Sequence, residues 1–170
     1  MSNRAAQLAQ LGREEFSRGR TSAARRHFVE AIRLDPNQAA FQYGLALCDW
    51  TEGQMATAGE RLQLAVRLDA RLAIAHSLLG EWYLQHGVIG GALQATEKAL
   101  ALDSKNPTFM QSRAWVLEAA GETGDAWKIV KQLLAGPWPM NPPLARLYGR
   151  LAVNYGERDQ ALEAIMALLR

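Results

Sequence analysis

Cysteine is almost absent from this sequence, and no stretch of it is hydrophobic enough for a membrane helix. Cys48 is the single cysteine, so the chain forms no disulfide within itself. No apolar run approaches the roughly 20 residues that a membrane-spanning helix needs. The first residues also lack the apolar core of a secretory signal peptide. These absences predict a reducing, cytoplasmic location without direct membrane insertion.

A charge excess of either sign is missing as well. Nineteen Lys and Arg residues face 17 Asp and Glu residues, which leaves a net charge of +2 spread along the chain. A field this weak does not attract nucleic acid, so nucleic acid is not expected as a partner. Hydrophobic residues make up 49% of the 170 positions, which is ordinary for a folded domain. One folded domain over residues 1–170 is therefore expected.

What the sequence does contain is an internal repeat. Four glycines follow one another at steps of 34 residues, namely Gly19, Gly53, Gly87 and Gly121. Four alanines keep the same step, namely Ala24, Ala58, Ala92 and Ala126. Three shorter ladders follow that period: Ala31/Ala65/Ala99, Leu34/Leu68/Leu102 and Asp35/Asp69/Asp103. The next step is 35 residues, to Gly156 and Ala161, so one residue is inserted, near Gly136–Pro139. A fixed period of this length indicates a repeat architecture.

Each repeat contains two apolar stretches of helical length, separated by a glycine-containing break. This pattern predicts five helical hairpins, at 5–34, 39–68, 73–102, 107–135 and 142–170. The corresponding repeats are approximately 5–38, 39–72, 73–106, 107–141 and 142–170. A single hairpin cannot bury its apolar face alone, so neighbouring hairpins are expected to stack.

Two segments carry a family resemblance. Leu8-x2-Leu11-Gly12, Gly19, Ala24-x3-Phe28-x2-Ala31 and Pro36 resemble the tetratricopeptide repeat, as do Leu79-Gly80-x2-Tyr83, Gly87, Ala92 and Ala99. The resemblance covers nearly the whole chain and implies an all-α, right-handed α-solenoid that serves as an interaction scaffold. Four residues depart from the family pattern at positions that are usually aromatic or apolar: Glu15, Asp49, Thr96 and Arg113.

Residues that could carry chemistry do not assemble in the sequence. His27, His76 and His86 fall in different repeats without a second ligand at metal-binding spacing, so surface or packing roles are expected. Cys48 is expected to pack as a small hydrophobic residue. Gly90-Gly91 lacks the motif of a phosphate-binding loop and is interpreted as a hinge. No cofactor, metal or catalytic activity is predicted.

Two further features favour structural roles over binding. Arg25-Arg26 lie in the most basic part of the chain, where nearby Glu and Asp residues favour a solvated helix face over a phosphate site. Trp138 lies in the segment with the insertion, and its burial against the fifth repeat is favoured over docking of a partner.

The resemblance also implies that the first helix of each repeat lines a concave groove for a peptide. The matching positions, with Arg13 at the N-terminal end and Trp50 one turn beyond Leu47, are Arg13, Tyr43, Leu47, Trp50, Ile74, Ser77, Glu81, Gln111, Trp115, Arg146 and Arg150. Core packing remains an alternative for Leu47, Trp50 and Ile74. Family members that clamp a C-terminal carboxylate carry Lys, Asn and Arg at groove positions occupied here by Ala9, Arg13, Gly44, Ile74 and Leu78, which argues against such a clamp.

The sequence therefore predicts a scaffold or adaptor that binds another protein or peptide. Two alternatives remain open, namely an N-terminal recruiting module of a larger enzyme, such as a bacterial glycosyltransferase, and a secretion chaperone. The last helix reads as amphipathic as far as Leu168-Leu169, without a polar capping helix. Its apolar face is expected to be covered by a second copy of the chain, by a partner or by residues that follow Arg170.

Overall fold

The computed structural model describes residues 3–167, which form ten α-helices and one short 3-10 helix and contain no strand. The helices are α1 Asn3–Ser17, α2 Thr21–Leu34, α3 Ala39–Thr51, α4 Met55–Leu68, α5 Ala73–Gln85, α6 Ile89–Leu102, α7 Pro107–Ala119, α8 Thr123–Ala135, α9 Pro142–Ala152 and α10 Arg158–Ala167, with the 3-10 helix at Val153–Tyr155. The predicted all-α fold of helical hairpins is confirmed for this part of the chain.

The chain divides between Trp82 and Tyr83 into two compact units. The first unit contains α1–α4 and most of α5, and the second contains α6–α10. Each unit is described below by itself. The expectation that all five repeats form one domain stays a prediction.

The repeated glycines end the first helix of each hairpin in a left-handed conformation. Gly19, Gly53, Gly87, Gly121 and Gly156 have φ between 71° and 82°. At the first of these turns, the Gly19 N–H donates to the Phe16 carbonyl and the Arg20 N–H to the Glu15 carbonyl, both at 2.9 Å. These bonds satisfy carbonyls that the helix end would otherwise leave unpaired. The 34-residue glycine step is therefore the step of this turn.

A core cluster of the first unit packs small residues around two phenylalanine rings, Phe28 and Phe41. Its buried members are Ala5, Ala9, Ala24, Phe28, Ala31, Phe41, Leu45 and Cys48. The Phe28 ring lies 3.0 Å from where a Cβ at Gly12 would stand, and a Cβ at Gly44 would overlap the ring. Both glycines are thus needed to admit this ring between the helices. Cys48 is fully buried, as predicted, and burial raises the pKa of its thiol to about 11.

A buried carboxylate occupies the position in α3 where an aromatic residue was expected. Asp49 is 0% exposed, and Arg25 of α2 and Arg61 of α4 each approach one of its oxygens to 2.7 Å. Arg25 also pairs with Glu52 at 2.7 Å. The interpretation of the Arg25 region as a solvated helix face is wrong for Arg25, because this side chain is half-buried and held by two carboxylates.

The second unit has a larger aliphatic and aromatic core. Its buried members are Met110, Ala114, Leu117, Ala126, Val130, Leu133, Leu144, Leu147, Tyr148, Leu151, Ala152 and Ala161. Trp138 packs against this cluster from the loop before α9, as predicted.

Two departures from the family pattern compensate each other in the second unit. Thr96 is fully buried, and its hydroxyl donates to the Ala92 carbonyl at 2.8 Å. The Arg113 guanidinium donates to the Leu93 carbonyl at 2.6 Å and lies 3.4 Å from the Thr96 hydroxyl. A polar pair from α6 and α7 thus replaces an apolar contact.

The hinge predicted at Gly90-Gly91 is wrong. Both glycines lie in the first turn of α6, which begins at Ile89. A Cβ at Gly91 would stand 3.1 Å from the Tyr83 ring, so the small residue serves helix packing instead of a turn.

The inserted residue lies in the predicted segment. α9 begins at Pro142, 35 residues after α7 begins at Pro107, and the segment between α8 and α9 spans residues 136–141. Asn141 caps α9, because its side chain accepts a hydrogen bond from the Leu144 N–H at 2.8 Å.

The last helix is only partly covered within the described residues. Ala161 is buried, whereas about half of the Leu162 and Met166 surfaces is exposed. Leu168, Leu169 and Arg170 lie outside the described residues. The expectation that a second copy, a partner or following residues cover this face stays a prediction. No helix within residues 3–167 is long and apolar enough to cross a membrane.

Candidate functional site

The groove positions predicted in the first unit form a set that we call the first-unit patch. Its members are Arg13 on α1, Tyr43, Leu47 and Trp50 on α3, and Ile74, Ser77 and Glu81 on α5. Ile74 is 44% exposed, which excludes a core role for it, whereas Leu47 and Trp50 are half-buried. Ser77 is buried. Arg13 is exposed and donates to the Gln10 side chain at 2.6 Å.

Tyr43 has the most perturbed environment of this patch. Burial raises the pKa of its phenol to about 12, and the nearby negative charge of Glu81 adds to the effect. Like an ordinary tyrosine, the phenol keeps its proton at neutral pH, so its hydroxyl is available as a hydrogen-bond donor.

The groove positions in the second unit form the second-unit patch: Gln111 and Trp115 on α7, and Arg146 and Arg150 on α9. The Arg150 guanidinium lies 4.4 Å from the centre of the Trp115 ring, within cation–π distance. The structure thus brings together two predicted groove residues that are 35 positions apart in the sequence.

Helical spacing explains this arrangement. Gln111 and Trp115 are one turn apart on α7, and Arg146 and Arg150 are one turn apart on α9, so each pair shares a helix face. The Asn141 side chain donates to the Gln111 side chain at 3.1 Å and ties the start of α9 to α7.

Sequence reasoning missed two residues of this site. Glu118 pairs with Arg150 at 2.5 Å, and Asn141 contacts Gln111. Glu118 stands three residues after Trp115 on the same helix face, and Asn141 directly precedes two prolines, a typical N-cap position. Both signals were present but were not connected to the groove.

The two patches offer binding chemistry. They combine half-buried aromatic rings, a protonated phenol and arginine guanidinium groups, which suit contact with a peptide. Among residues 3–167, no group of three or more His, Cys, Asp or Glu side chains is arranged to hold a metal ion. His76 is buried, and its Nε2 lies 3.1 Å from the Ala70 carbonyl.

Two characterised proteins show sequence similarity to this chain. BBSome complex member BBS4 of Xenopus tropicalis is 32% identical over 103 residues, which cover 61% of this chain and 20% of that protein. E3 ubiquitin-protein ligase CHIP of Arabidopsis thaliana is 29% identical over 144 residues, which cover 81% of this chain and 49% of that protein. The chain thus spans half or less of these relatives. No protein-family model matches it.

Solved structures show a closer likeness in fold. TTC0263, a thermophilic TPR protein of Thermus thermophilus, superposes with a TM-score of 0.79 at 23% identity, covering 97% of this chain and 90% of its own. The first TPR of Spaghetti (RPAP3), bound to the HSP90 peptide SRMEEVD, has a TM-score of 0.65 at 21% identity, covering 71% of this chain and 96% of its own. Together with the hairpins and their glycine turns, these likenesses establish that the chain has the tetratricopeptide-repeat fold.

Proposed function

We propose that this chain is a protein-interaction scaffold that binds a segment of another protein and acts through binding, not catalysis. The observation that carries the proposal is the second-unit patch, where Trp115 presents a half-buried ring beside the Arg150 guanidinium. Trp, Tyr and Arg are the residues most enriched among the side chains that dominate protein–protein binding energy. The first-unit patch supports the same role with Tyr43 and Trp50.

The solved likeness to the first TPR of Spaghetti (RPAP3) supports a peptide as the bound segment, since that protein was solved with one. The recognition chemistry here differs from a carboxylate clamp. Ala9 and Gly44 are buried and carry no polar side chain, and the Phe28 ring packs against Gly44. We therefore propose that the partner is held through aromatic and arginine contacts and not through its C-terminal carboxylate.

The test is a peptide array drawn from a proteome, followed by affinity measurements on single-residue variants. Trp115→Ala and Tyr43→Ala are each expected to weaken binding of captured peptides by at least about tenfold, the effect typical of a central interface residue. Matched controls are Val29→Ala on α2 and Leu102→Ala on α6, which remove exposed apolar side chains outside both patches.

Circular dichroism and thermal melting of each variant separate loss of binding from loss of folding. Folded Trp115→Ala and Tyr43→Ala proteins that bind every captured peptide as tightly as the controls would overturn the proposed function.

A further inference from the structure

The two helices that carry the second-unit patch are unevenly charged. Arg146 and Arg150 are the only charged residues of α9, and Arg113 and Glu118 are the only charged residues of α7. The two helices together therefore carry three arginines and one carboxylate, of which Arg113 points towards α6, away from the patch. This local excess contrasts with the near balance of charge over the whole chain.

The three arginines are engaged to different degrees. Arg113 is half-buried and donates to the Leu93 carbonyl. Arg150 pairs with Glu118 and lies over the Trp115 ring. Arg146 is exposed, and within residues 3–167 no carboxylate pairs with it. Among the described residues, the patch thus has one guanidinium without a carboxylate partner, that of Arg146. One helical turn later, the Arg150 guanidinium is paired with Glu118.

We propose that the second-unit patch recognises an acidic side chain, Asp or Glu, of a bound peptide, and that Glu118 competes with it for Arg150. The inference rests on the proposed function and names the chemistry of its ligand. Arg146 makes the first ionic contact. The ligand carboxylate then replaces Glu118 on Arg150 while the guanidinium stays over Trp115.

The exposure of the internal pair makes this exchange favourable. The Arg150 side chain is 52% exposed and the Glu118 side chain 20%. Ion pairs of this kind contribute little, because water screens them and both long side chains must be held still. A displaced Glu118 returns to solvent, whereas the ligand carboxylate gains two guanidinium groups, the donors best matched to carboxylate geometry.

A phosphate group would satisfy the same guanidinium groups, so nucleic acid is the alternative ligand. Nucleic-acid binding typically draws on a marked positive charge, whereas the net charge here is +2, which favours the peptide carboxylate. A single-stranded oligonucleotide is therefore one arm of the test.

The probes are three degenerate decapeptide pools with a fixed central Glu, Gln or Lys, together with a fluorescent oligothymidine strand. Binding is measured by fluorescence anisotropy for the unmodified chain and for Arg146→Gln, Glu118→Gln and Arg158→Gln. The last variant removes one exposed positive charge from α10, outside the patch, and controls for long-range attraction.

We expect the unmodified chain to prefer the Glu pool over the Gln pool and to bind the Lys pool least. Arg146→Gln should lower affinity for the Glu pool by about three- to fivefold, the effect of losing an exposed ionic contact. Glu118→Gln should raise it about two- to fivefold, because it removes the internal competitor. Arg158→Gln should change little.

Three results would overturn the inference: equal binding of the Glu and Gln pools, equal losses in Arg146→Gln and Arg158→Gln, or weaker binding of the Glu pool by Glu118→Gln. Tighter binding of the oligonucleotide than of the Glu pool would also overturn it, in favour of phosphate. Peptide binding that Trp115→Ala abolishes but that ignores the central residue would leave the proposed function intact. If no peptide pool binds and the peptide array captures nothing, both this inference and the proposed function are wrong.

Discussion

The two units share one repeat frame but fill it with different chemistry. In the first unit, small residues surround the Phe28 ring, and Asp49 is buried between two arginines. In the second unit, aliphatic side chains and Tyr148 form the buried cluster, and half-buried tryptophan rings pack against it. The backbone pattern of the repeat therefore does not dictate its core. Helical hairpins with the same glycine turn can therefore bury either an ion cluster or a mainly apolar set of side chains.

Stacked rings adjoin this cluster. The Trp127 ring stacks on those of Tyr148, at 5.8 Å, and of the exposed Tyr155, at 4.8 Å. Lys131 contacts the same indole at 5.5 Å and pairs with Glu157 at 2.8 Å. Ions in this part of the second unit lie at the surface, whereas Asp49 of the first unit has no exposed surface.

Removing the buried carboxylate of the first unit is expected to have the largest effect on stability. Asp49→Ala should lower the free energy of unfolding by about 3 kcal/mol, since it leaves Arg25 and Arg61 without their shared partner. Their side chains are 26% and 29% exposed, so water recovers part of the loss. Urea denaturation measures the change.

The control in the second unit is Asp125→Ala, which removes a surface carboxylate paired with Lys128 and should lower stability far less than Asp49→Ala does. A triple variant, Asp49→Leu with Arg25→Met and Arg61→Met, should recover most of the lost stability, because apolar residues often replace a buried ion pair without cost. Equal stability of Asp49→Ala and the unmodified chain would show that the ionic cluster contributes nothing.

A smaller difference in stability between the units is expected when the same repeat position is enlarged from Ala to Leu in each of them. Ala24 and Ala126 occupy equivalent positions and are both fully buried. Ala24→Leu should cost about 3 kcal/mol, because the Phe28 ring is already confined by Gly12 and Gly44.

Ala126→Leu should cost about 1 kcal/mol, because the flexible Met110 side chain in its cluster can adjust. Denaturant midpoints compare the two directly. A larger cost for Ala126→Leu would reverse the comparison and show the aromatic core to be the more rigid one.

The smallest effect is a dependence of stability on acidic pH that arises from Glu157 in the second unit. The hydrogen bond from Lys131 lowers the pKa of Glu157 below its ordinary 4.5, and the hydrogen bond from Tyr148 acts in the same direction. A lowered pKa in the folded chain means that the contribution is present above pH 4.5 and is lost as pH falls through the folded value.

Glu157→Gln should therefore flatten the acid limb of the stability curve slightly, as measured by denaturation at a series of pH values. Asp159→Asn, an exposed neighbour on α10, is the control. An unchanged acid limb in Glu157→Gln would contradict the role of this ion pair.

Most of the fold could be predicted because the signals are local and repeated. The glycine ladder marks left-handed turns, and the alanine ladder marks buried helix crossings. Gly90-Gly91 misled because two glycines typically indicate a turn, whereas here packing against Tyr83 requires a small residue within α6. The partners of Asp49 could not be predicted, because Arg25 and Arg61 lie 24 residues before it and 12 residues after it. The repeat pattern gives no reason to expect ion pairs at these spacings.

The position of the candidate site stays a prediction from the family resemblance, and the contacts within it could not be predicted from the sequence. The resemblance implied groove positions for Trp115 and Arg150, and the structure brings these two residues into contact. The sequence could not show that Glu118 satisfies Arg150 while Arg146 stays unpaired, because that outcome depends on the spacing of two helices and on side-chain rotamers. The roles of Arg13, Ser77 and the other members of the first-unit patch stay predictions.

Asp49 has one further consequence, for how such a chain can change during evolution. Its two arginines come from α2 and α4, the second helices of successive hairpins, so three helices must be present together to satisfy one carboxylate. Unequal recombination that deleted or exchanged one of these hairpins would leave a buried charge short of a partner. We expect the first two repeats to be inherited as a pair, and gains or losses of whole repeats to fall elsewhere in the array.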